Sequence, residues 1–454
     1  MKGCFFMRSI SLQIAKEFSC DVLVVGGGCA GLAAAVCSAR NGAQTILAEL
    51  NGFLGGTATA GLVNPFMTSY DSDGEVQLIR GFFDEFVTRM EEKGGALHPS
   101  KGPYGTAYTA YRTTGHRKCA AFVPECYKNT AEEMCEESGV KLMYHMMLIA
   151  ADTENGSVTA AYFATKDGIY RICAKVFLDC TGDADLAVKA NSPTVYGDED
   201  GTAQAASLFF CVKGVDKEKL DAYVAAAPDA ETRFYMREIL AARANGEFPI
   251  NRAKIFLAEG LNGAWFVNMS QIDDVDATSP EAITAAEIEG RKQVQIILDF
   301  LRKTVAGCEK ISLIESAASL GIRESRRIIG EYVVTAEDAK NSVKFPDSVF
   351  CCSNSMDIHC KGYVTYIARN TNDPYYIPYR ALQAKSVDNL LVAGRCVSAD
   401  RAVLSAIRVM PPCFAMGQAA GTAAALSAVQ NVSPKKLSPR LLIDTLLHDG
   451  VYLG

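Results

Sequence analysis

The run Val24-Val25-Gly26-Gly27-Gly28-Cys29-Ala30-Gly31 constrains this chain more than any other segment. It ends a short apolar, β-branched stretch, Asp21 to Val25, and leads into an alanine-rich one, Leu32 to Arg40, that stops at Asn41-Gly42. Strand, glycine turn and helix are therefore expected in that order. Gly26, Gly28 and Gly31 stand at GxGxxG spacing. Their missing side chains let backbone amides approach a pyrophosphate, while the helix N-terminus supplies partial positive charge. A second apolar run, Thr45 to Ala48, ends in Glu49, 18 residues past Gly31. A carboxylate there binds ribose hydroxyls and repels a 2′-phosphate. The crossover between the two strands should be right-handed and should begin a parallel sheet. A GxGxxG on its own is also compatible with an empty tight turn; the strand context and the placed acid favour a dinucleotide.

At 454 residues the chain exceeds the roughly 250–300 at which single cores stop growing, so two domains are expected. Hydrophobic residues make up 49% and charged residues 21%, which suits a globular protein and argues against disorder. A net charge of −7 disfavours a nucleic-acid partner. No window reaches the roughly 18 uninterrupted apolar residues of a membrane span; the richest, Ala415 to Val429, carries Gln418. Met1 to Cys20 alternates apolar residues with Lys2, Arg8, Gln13, Lys16 and Glu17 and lacks a secretory h-region, so a cytoplasmic location is expected. The 16 cysteines include no CxxC, so no metal site is expected, and dispersed thiols in such a chain behave as small buried hydrophobes. The vicinal pair Cys351 and Cys352, with Cys360 nearby, is read as packing rather than redox chemistry.

Further along, helices are expected at Val76–Lys93 and Pro124–Glu137, followed by a strand at Val140–His145. A hairpin of Ser157–Ala164 and Ile169–Ala174 should turn at Lys166-Asp167-Gly168, with a separate strand at Lys175–Asp179 entering Thr181-Gly182-Asp183. From about residue 191 to 385 the pattern is mixed, with helices at Glu231–Asn245 and Pro280–Ala306 and a strand at Trp265–Met269. Parallel-strand character returns at Asn389–Ala393, before a helix at Pro412–Val429. The expected architecture is α/β: a discontinuous Rossmann-like domain, 1–190 and 386–454, with a parallel sheet and a three-stranded β-meander, plus a mixed α+β substrate or cap domain, 191–385.

Gly55-Gly56-Thr57, just after the second strand, offers a further close backbone approach. A flavin's pyrophosphate and ribityl chain need one beyond the adenosine site, and a nicotinamide fold seldom does. Here the chain resembles the FAD-dependent oxidoreductase family of the glutathione-reductase-like flavoproteins. The resemblance rests on the glycine run at Val24–Gly31, on Gly52-Phe53-Leu54-Gly55-Gly56, on Leu178-Asp179-Cys180-Thr181-Gly182-Asp183, and on Asn389-Leu390-Leu391-Val392-Ala393-Gly394-Arg395. It implies FAD as the cofactor, with Gly26, Gly28, Cys29, Ala30, Gly31, Glu49, Gly55, Gly56, Thr57, Leu148, Thr181, Gly182, Asp183, Gly394, Arg395 and Ile407 around it. Leu148 would meet the adenine through its backbone, and Gly394-Arg395 would follow the phosphate and ribityl chain. Ile407-Arg408-Val409-Met410-Pro411-Pro412 would pass the isoalloxazine, with the next helix aiming its positive end at the flavin's N1 and O2 region. Cys29 departs from the usual proline or other small residue of the loop; its thiol would lie near phosphates and has no catalytic role.

Gly321-Ile322-Arg323-Glu324-Ser325-Arg326-Arg327 also resembles a stretch recurrent in the family. Arg323 and Arg326 share one face if it is helical, where they could clamp an anionic substrate group. The plainer reading is a salt-bridged domain interface using Glu315, Glu324 or Glu331. In Met356-Asp357-Ile358-His359, Asp357 and His359 fall on the same side of a strand, and His359 could move the proton that accompanies hydride transfer; a structural histidine is the alternative. Tyr363 and Tyr366 are weaker proton donors. Arg408 joins His359, Arg323 and Arg326 as a candidate catalytic residue. The expected activity is hydride transfer between flavin N5 and a small molecule, with an electron donor or acceptor; a homo-oligomer is compatible with the sequence. Competing readings are an electron-transfer flavoprotein subunit resembling those of heterodisulfide reductase and a flavin-binding protein without turnover. A pyridine nucleotide:disulfide oxidoreductase fits poorly, because Thr57–Pro65 holds no cysteine and no second GxGxxG follows a strand.

Overall fold

A computed structural model describes residues 13–67, 69–101 and 118–454. The first twelve residues of the N-terminal stretch read above for a secretion signal lie outside the described residues. The chain begins with β1 (Ile14–Val25), α1 (Cys29–Arg40), β2 (Thr45–Ala48), α2 (Phe82–Glu92), α3 (Pro124–Glu137), β3 (Lys141–Met143) and the meander β4 (Met147–Glu154), β5 (Ser157–Thr165) and β6 (Gly168–Asp179). Then come α4 (Asp185–Lys189), β7 (Thr194–Tyr196), β8 (Phe210–Lys213), α5 (Lys217–Ala226), α6 (Ala230–Arg233), α7 (Met236–Ala244), β9 (Leu257–Glu259), β10 (Trp265–Val267), α8 (Pro280–Thr304), β11 (Ser312–Ser316) and β12 (Arg326–Ile328). The remainder is α9 (Ala336–Lys340), β13 (Ser348–Cys352), β14 (Met356–Cys360), β15 (Tyr363–Ile367), β16 (Tyr375–Pro378), β17 (Leu390–Val392), α10 (Arg401–Ile407), α11 (Met410–Gln430) and α12 (Pro439–His448).

The main sheet runs β3-β2-β1-β6-β5-β4, with β17 also pairing β6. β1 pairs β2 and β6 in parallel, so the expected parallel sheet and three-stranded meander are both present. β6 changes character along its length. Its first half alternates in burial and ladders with β5; its last residues, Val176–Asp179, are buried and accept β17 in parallel. That switch is why its two halves read as separate strands in the sequence. β1 is likewise longer than expected: Ile14–Ser19 is mostly exposed, so hydrophobicity does not reveal its pairing with β6. The helix expected from Val76 starts only at Phe82, because Gly81 holds a positive φ of 57°. The one expected at Glu231–Asn245 is divided into α6 and α7 at Tyr235, which adopts a left-handed φ of 52°.

Both helices that flank the glycine loop are apolar all round and therefore interior. α11 crosses α1 with backbone almost on backbone: a Cβ on Gly417 would stand 2.1 Å from the Ala30 carbonyl oxygen, and one on Gly421 2.2 Å from that of Ala34. A second hydrophobic core joins Leu62 to residues of 206–320, under α8 and the antiparallel sheet β11-β8-β10-β9. Buried side chains between Val334 and Leu382 belong instead to the core of α1 and α11. Packing thus groups 334–382 with the first core rather than with the second.

Candidate cofactor and substrate site

The glycine loop is shaped by contacts only glycine permits. Gly26 has φ +96°, and a Cβ there would lie 2.5 Å from the Cys180 carbonyl oxygen; one on Gly31 would lie 1.8 Å from that of Gly26. Both glycines bring β1, α1 and the end of β6 together. Gly28 differs: a Cβ on it would meet nothing within 4 Å, so open space stands over the loop. α1 starts there with no side-chain cap and no acid in its first turn, leaving its amides for an anion. Gly55, at φ +113°, donates its N–H to the Gly27 carbonyl at 2.9 Å and ties the second glycine segment to the first. Glu49 is buried at the end of β2, where Oε2 accepts the Gly27 N–H at 2.5 Å and Oε1 accepts the Asn51 backbone N–H at 2.7 Å.

A cavity of about 520 Å³ runs along these groups. Its wall takes in Gly26, Gly28, Cys29, Ala30, Glu49, Gly56, Thr57, Leu148, Thr181, Gly182, Asp183, Gly394 and Arg395, and it ends at Arg408, Met410 and Cys413. The segments from both ends of the chain therefore converge as expected. Three expected cofactor residues do not line it. Gly31 and Gly55 act through packing and loop geometry, and Ile407 is wholly buried in the core. α11 opens beside the cavity, capped by no side chain and with no acid in its first turn. Pro411 and Pro412 lack N–H groups, so this end offers a dipole field and few donors.

The residues present fit FAD: a buried acid, Glu49, that would accept ribose hydroxyls at one end, the uncapped start of α1 at side-chain-free Gly28 in the middle, and a helix N-terminus with Arg408 at the other. A family model described as FAD dependent oxidoreductase matches residues 21–446. The chain belongs to this family. FAD is accordingly its cofactor, and the protein is an FAD-dependent oxidoreductase. Among curated proteins none matches the chain. Similar solved structures include a geranylgeranyl bacteriochlorophyll reductase-like protein from Thermoplasma acidophilum, 13% identical, covering 95% of this chain and 83% of the other with a TM-score of 0.46. Others are p-nitrophenol 4-monooxygenase from Pseudomonas putida, 11% identical over 95% and 81% with a TM-score of 0.44, and the flavin-dependent brominase Bmp2, 10% identical over 95% and 83% with a TM-score of 0.47.

In this oxidoreductase a second cavity of about 150 Å³ shares Thr57, Ile322, Arg395, Arg408 and Met410 with the first. Arg323, Asp357 and His359 line it. His359 and Asp357 do share one side of β14, with Nε2 of the imidazole 3.2 Å from Oδ2 of the carboxylate. That bond assigns the proton to Nε2 and leaves Nδ1 as the acceptor. Burial first, then the charge of Arg323, pushes the His359 pKa down to about 3, so the ring is neutral at physiological pH. The expected Arg323–Arg326 pair is not formed, because 321–327 is not helical: Arg326 opens β12 and pairs Tyr196 of β7. Its Nε donates to the Asp183 carbonyl at 2.7 Å and its guanidinium pairs with Asp185, rather than with Glu315, Glu324 or Glu331. Glu324 is buried between Arg327, at 2.5 Å, and Arg401, at 2.9 Å, and also accepts the Gln204 N–H at 2.9 Å. Gln204 in turn accepts the His359 N–H at 3.1 Å, which fastens β14 to the loop that carries Arg323. Arg252 and Asn268, unnoticed in the sequence, also reach the second cavity. Tyr366 lines it as well, whereas Tyr363 is 63% exposed.

The surroundings of Cys29, Cys351 and Cys352 do not prime them for reaction. Burial pushes Cys29 and Cys351 up to about 12 and Cys352 to about 11, so their thiols stay protonated. Among the described residues no helix is long and apolar enough to cross a membrane.

Proposed function

We propose that this oxidoreductase transfers a hydride between flavin N5 and a carbon of a small anionic molecule seated in the second cavity. The observation that carries this is the shared wall: Arg408 and Met410 face both cavities, and the Asp357–His359 pair lies beside them. Bound FAD supplies a two-electron acceptor or donor at N5. The chain's own residues do the rest. Arg323 binds and orients the anionic group through charge-assisted hydrogen bonds. Arg408, whose Nε is buried without a hydrogen-bond partner among the described residues, places positive charge at the junction. In the oxidation direction the substrate's C–H electron pair leaves with its hydrogen as hydride, and a proton from the adjacent O–H or N–H passes to His359 Nδ1. Asp357 holds the ring and stabilises the imidazolium that forms. Reduction reverses both transfers.

The test is an anaerobic screen of small acids, alcohols and sugars for bleaching or recolouring of the FAD-loaded protein. Arg323→Gln and His359→Gln should each lose the response while retaining FAD. Variants that respond as well as the parent would refute the assignment.

A further inference from the structure

Among the described residues the wall of the second cavity carries three asparagines, Asn64, Asn268 and Asn354. Two of them are engaged. Asn64 Nδ2 donates to the Phe122 carbonyl at 2.7 Å while its Oδ1 accepts the Phe122 N–H at 3.5 Å, and Asn268 Oδ1 accepts Arg252 Nη2 at 3.1 Å. Asn354 is different. It is only 1% exposed, and neither its Oδ1 nor its Nδ2 has a hydrogen-bond partner among the described residues. Burying an amide in that state is costly, and nearly all buried polar groups in folded chains are paired.

The backbone that carries this amide is fixed. Asn354 lies in the short link between β13 and β14, where its carbonyl accepts the hydroxyl of buried Tyr375 at 3.1 Å. On one side of the link Cys352 pairs Tyr375 of β16; on the other, wholly buried Met356 opens β14. Asp357, the next residue of β14, belongs to the same cavity wall and bonds to His359. The unpaired amide is thus held beside the groups assigned to proton transfer, and little conformational freedom is lost when a ligand satisfies it.

An asparagine side chain sets an acceptor next to donors, and its complement is a group that does the same. A carboxylate offers acceptors alone and leaves Oδ1 unpaired. An ammonium offers donors alone and leaves Nδ2 unpaired, while a hydroxyl carries both roles on one atom and meets only one of the two amide atoms well. A carboxamide or ring amide pairs with both at once.

We propose that the second cavity takes a small amide, a molecule with N–H beside C=O, which Asn354 recognises through both polar atoms of its side chain. This rests on the substrate reading above, adds an amide to the anionic group assigned there, and makes Asn354 a specificity-determining binding residue.

The probes are two pairs matched in size, in which a methyl ketone replaces the amide: succinamate against levulinate, and acetamide against acetone. Each is titrated into the FAD-loaded protein, with binding read by calorimetry and by the change in the visible flavin spectrum. A ketone leaves Asn354 Oδ1 buried and unpaired, so the amide should bind about 10- to 100-fold more tightly than its ketone. Asn354→Leu and Asn354→Ala bring that ratio to about one and keep the parent's FAD content. An amide preference in either pair, lost in the variants, supports the inference. No preference in either pair overturns it, whether the compounds bind equally or not at all; a water molecule held permanently by Asn354 gives this result. A preference that survives both substitutions overturns it as well. If no amide is preferred and another compound bleaches the flavin, the amide inference falls and hydride transfer stands. If amides are preferred and no compound ever bleaches the flavin, the inference stands and the hydride-transfer reading falls.

Discussion

Replacing His359 with Gln removes an imidazole that burial keeps neutral in the resting protein, and the cost of that burial can be measured against pH. The imidazole is only 15% exposed, and its pKa stands at about 3, against 6.5 ordinarily. A folded value below the unfolded one means that the folded state binds fewer protons. The stabilisation is therefore full above pH 6.5 and is lost progressively as pH falls toward 3. At about 1.4 kcal/mol per unit, pH 5 lies 1.5 units below the unfolded value and costs the parent about 2 kcal/mol; the loss saturates near 5 kcal/mol. His359→Gln has no such titration. The difference in unfolding free energy between parent and variant should shift by about 2 kcal/mol in the variant's favour from pH 7 to pH 5, measured by urea unfolding at constant excess FAD. Ring-labelled histidine NMR gives a direct check, with the His359 ring still neutral at pH 5. Parallel loss of stability in both proteins, or five imidazoles titrating near 6.5, would refute the reasoning.

Other changes probe the cofactor end. Glu49→Gln keeps the shape but loses the charge behind the 2.5 Å contact to Gly27 N–H, and should weaken FAD binding about 10-fold by fluorescence titration. In Gly31→Ala the new methyl would stand 1.8 Å from the Gly26 oxygen, so α1 must move; the purified protein should lack the flavin absorbance of the parent or fail to fold. Arg326→Gln breaks a partly exposed pair with Asp185, should cost about 1 kcal/mol or less in thermal unfolding, and should leave any substrate-driven bleaching intact.

The cofactor half of the site was legible because its determinants are local. A strand, a glycine turn and a helix announce themselves within twenty residues, and Glu49 follows at a fixed distance along the chain. The substrate half was only partly legible. His359 and Asp357 share a strand face, which alternation reveals, but Arg252, Asn268, Arg323 and Arg408 are brought together by tertiary structure alone. No local pattern marks Arg252 or Asn268. The helical spacing that paired Arg323 with Arg326 misled because a β-bridge to Tyr196 overrode it, sending the two side chains apart. Exposure hid other features: Ile14–Ser19 of β1 carries no apolar signal, although five of its residues pair with β6.

The contact between α1 and α11 has a consequence for how the protein is made. Helix α1, which follows the first glycine turn, emerges from a ribosome before α11, yet the Gly417 and Gly421 backbone it packs against is supplied some 380 residues later. Until then that nearly all-apolar surface has no native cover. A nascent chain halted before Met410 should consequently bind chaperones and resist loading with FAD, and the cofactor should be acquired only after translation has nearly finished.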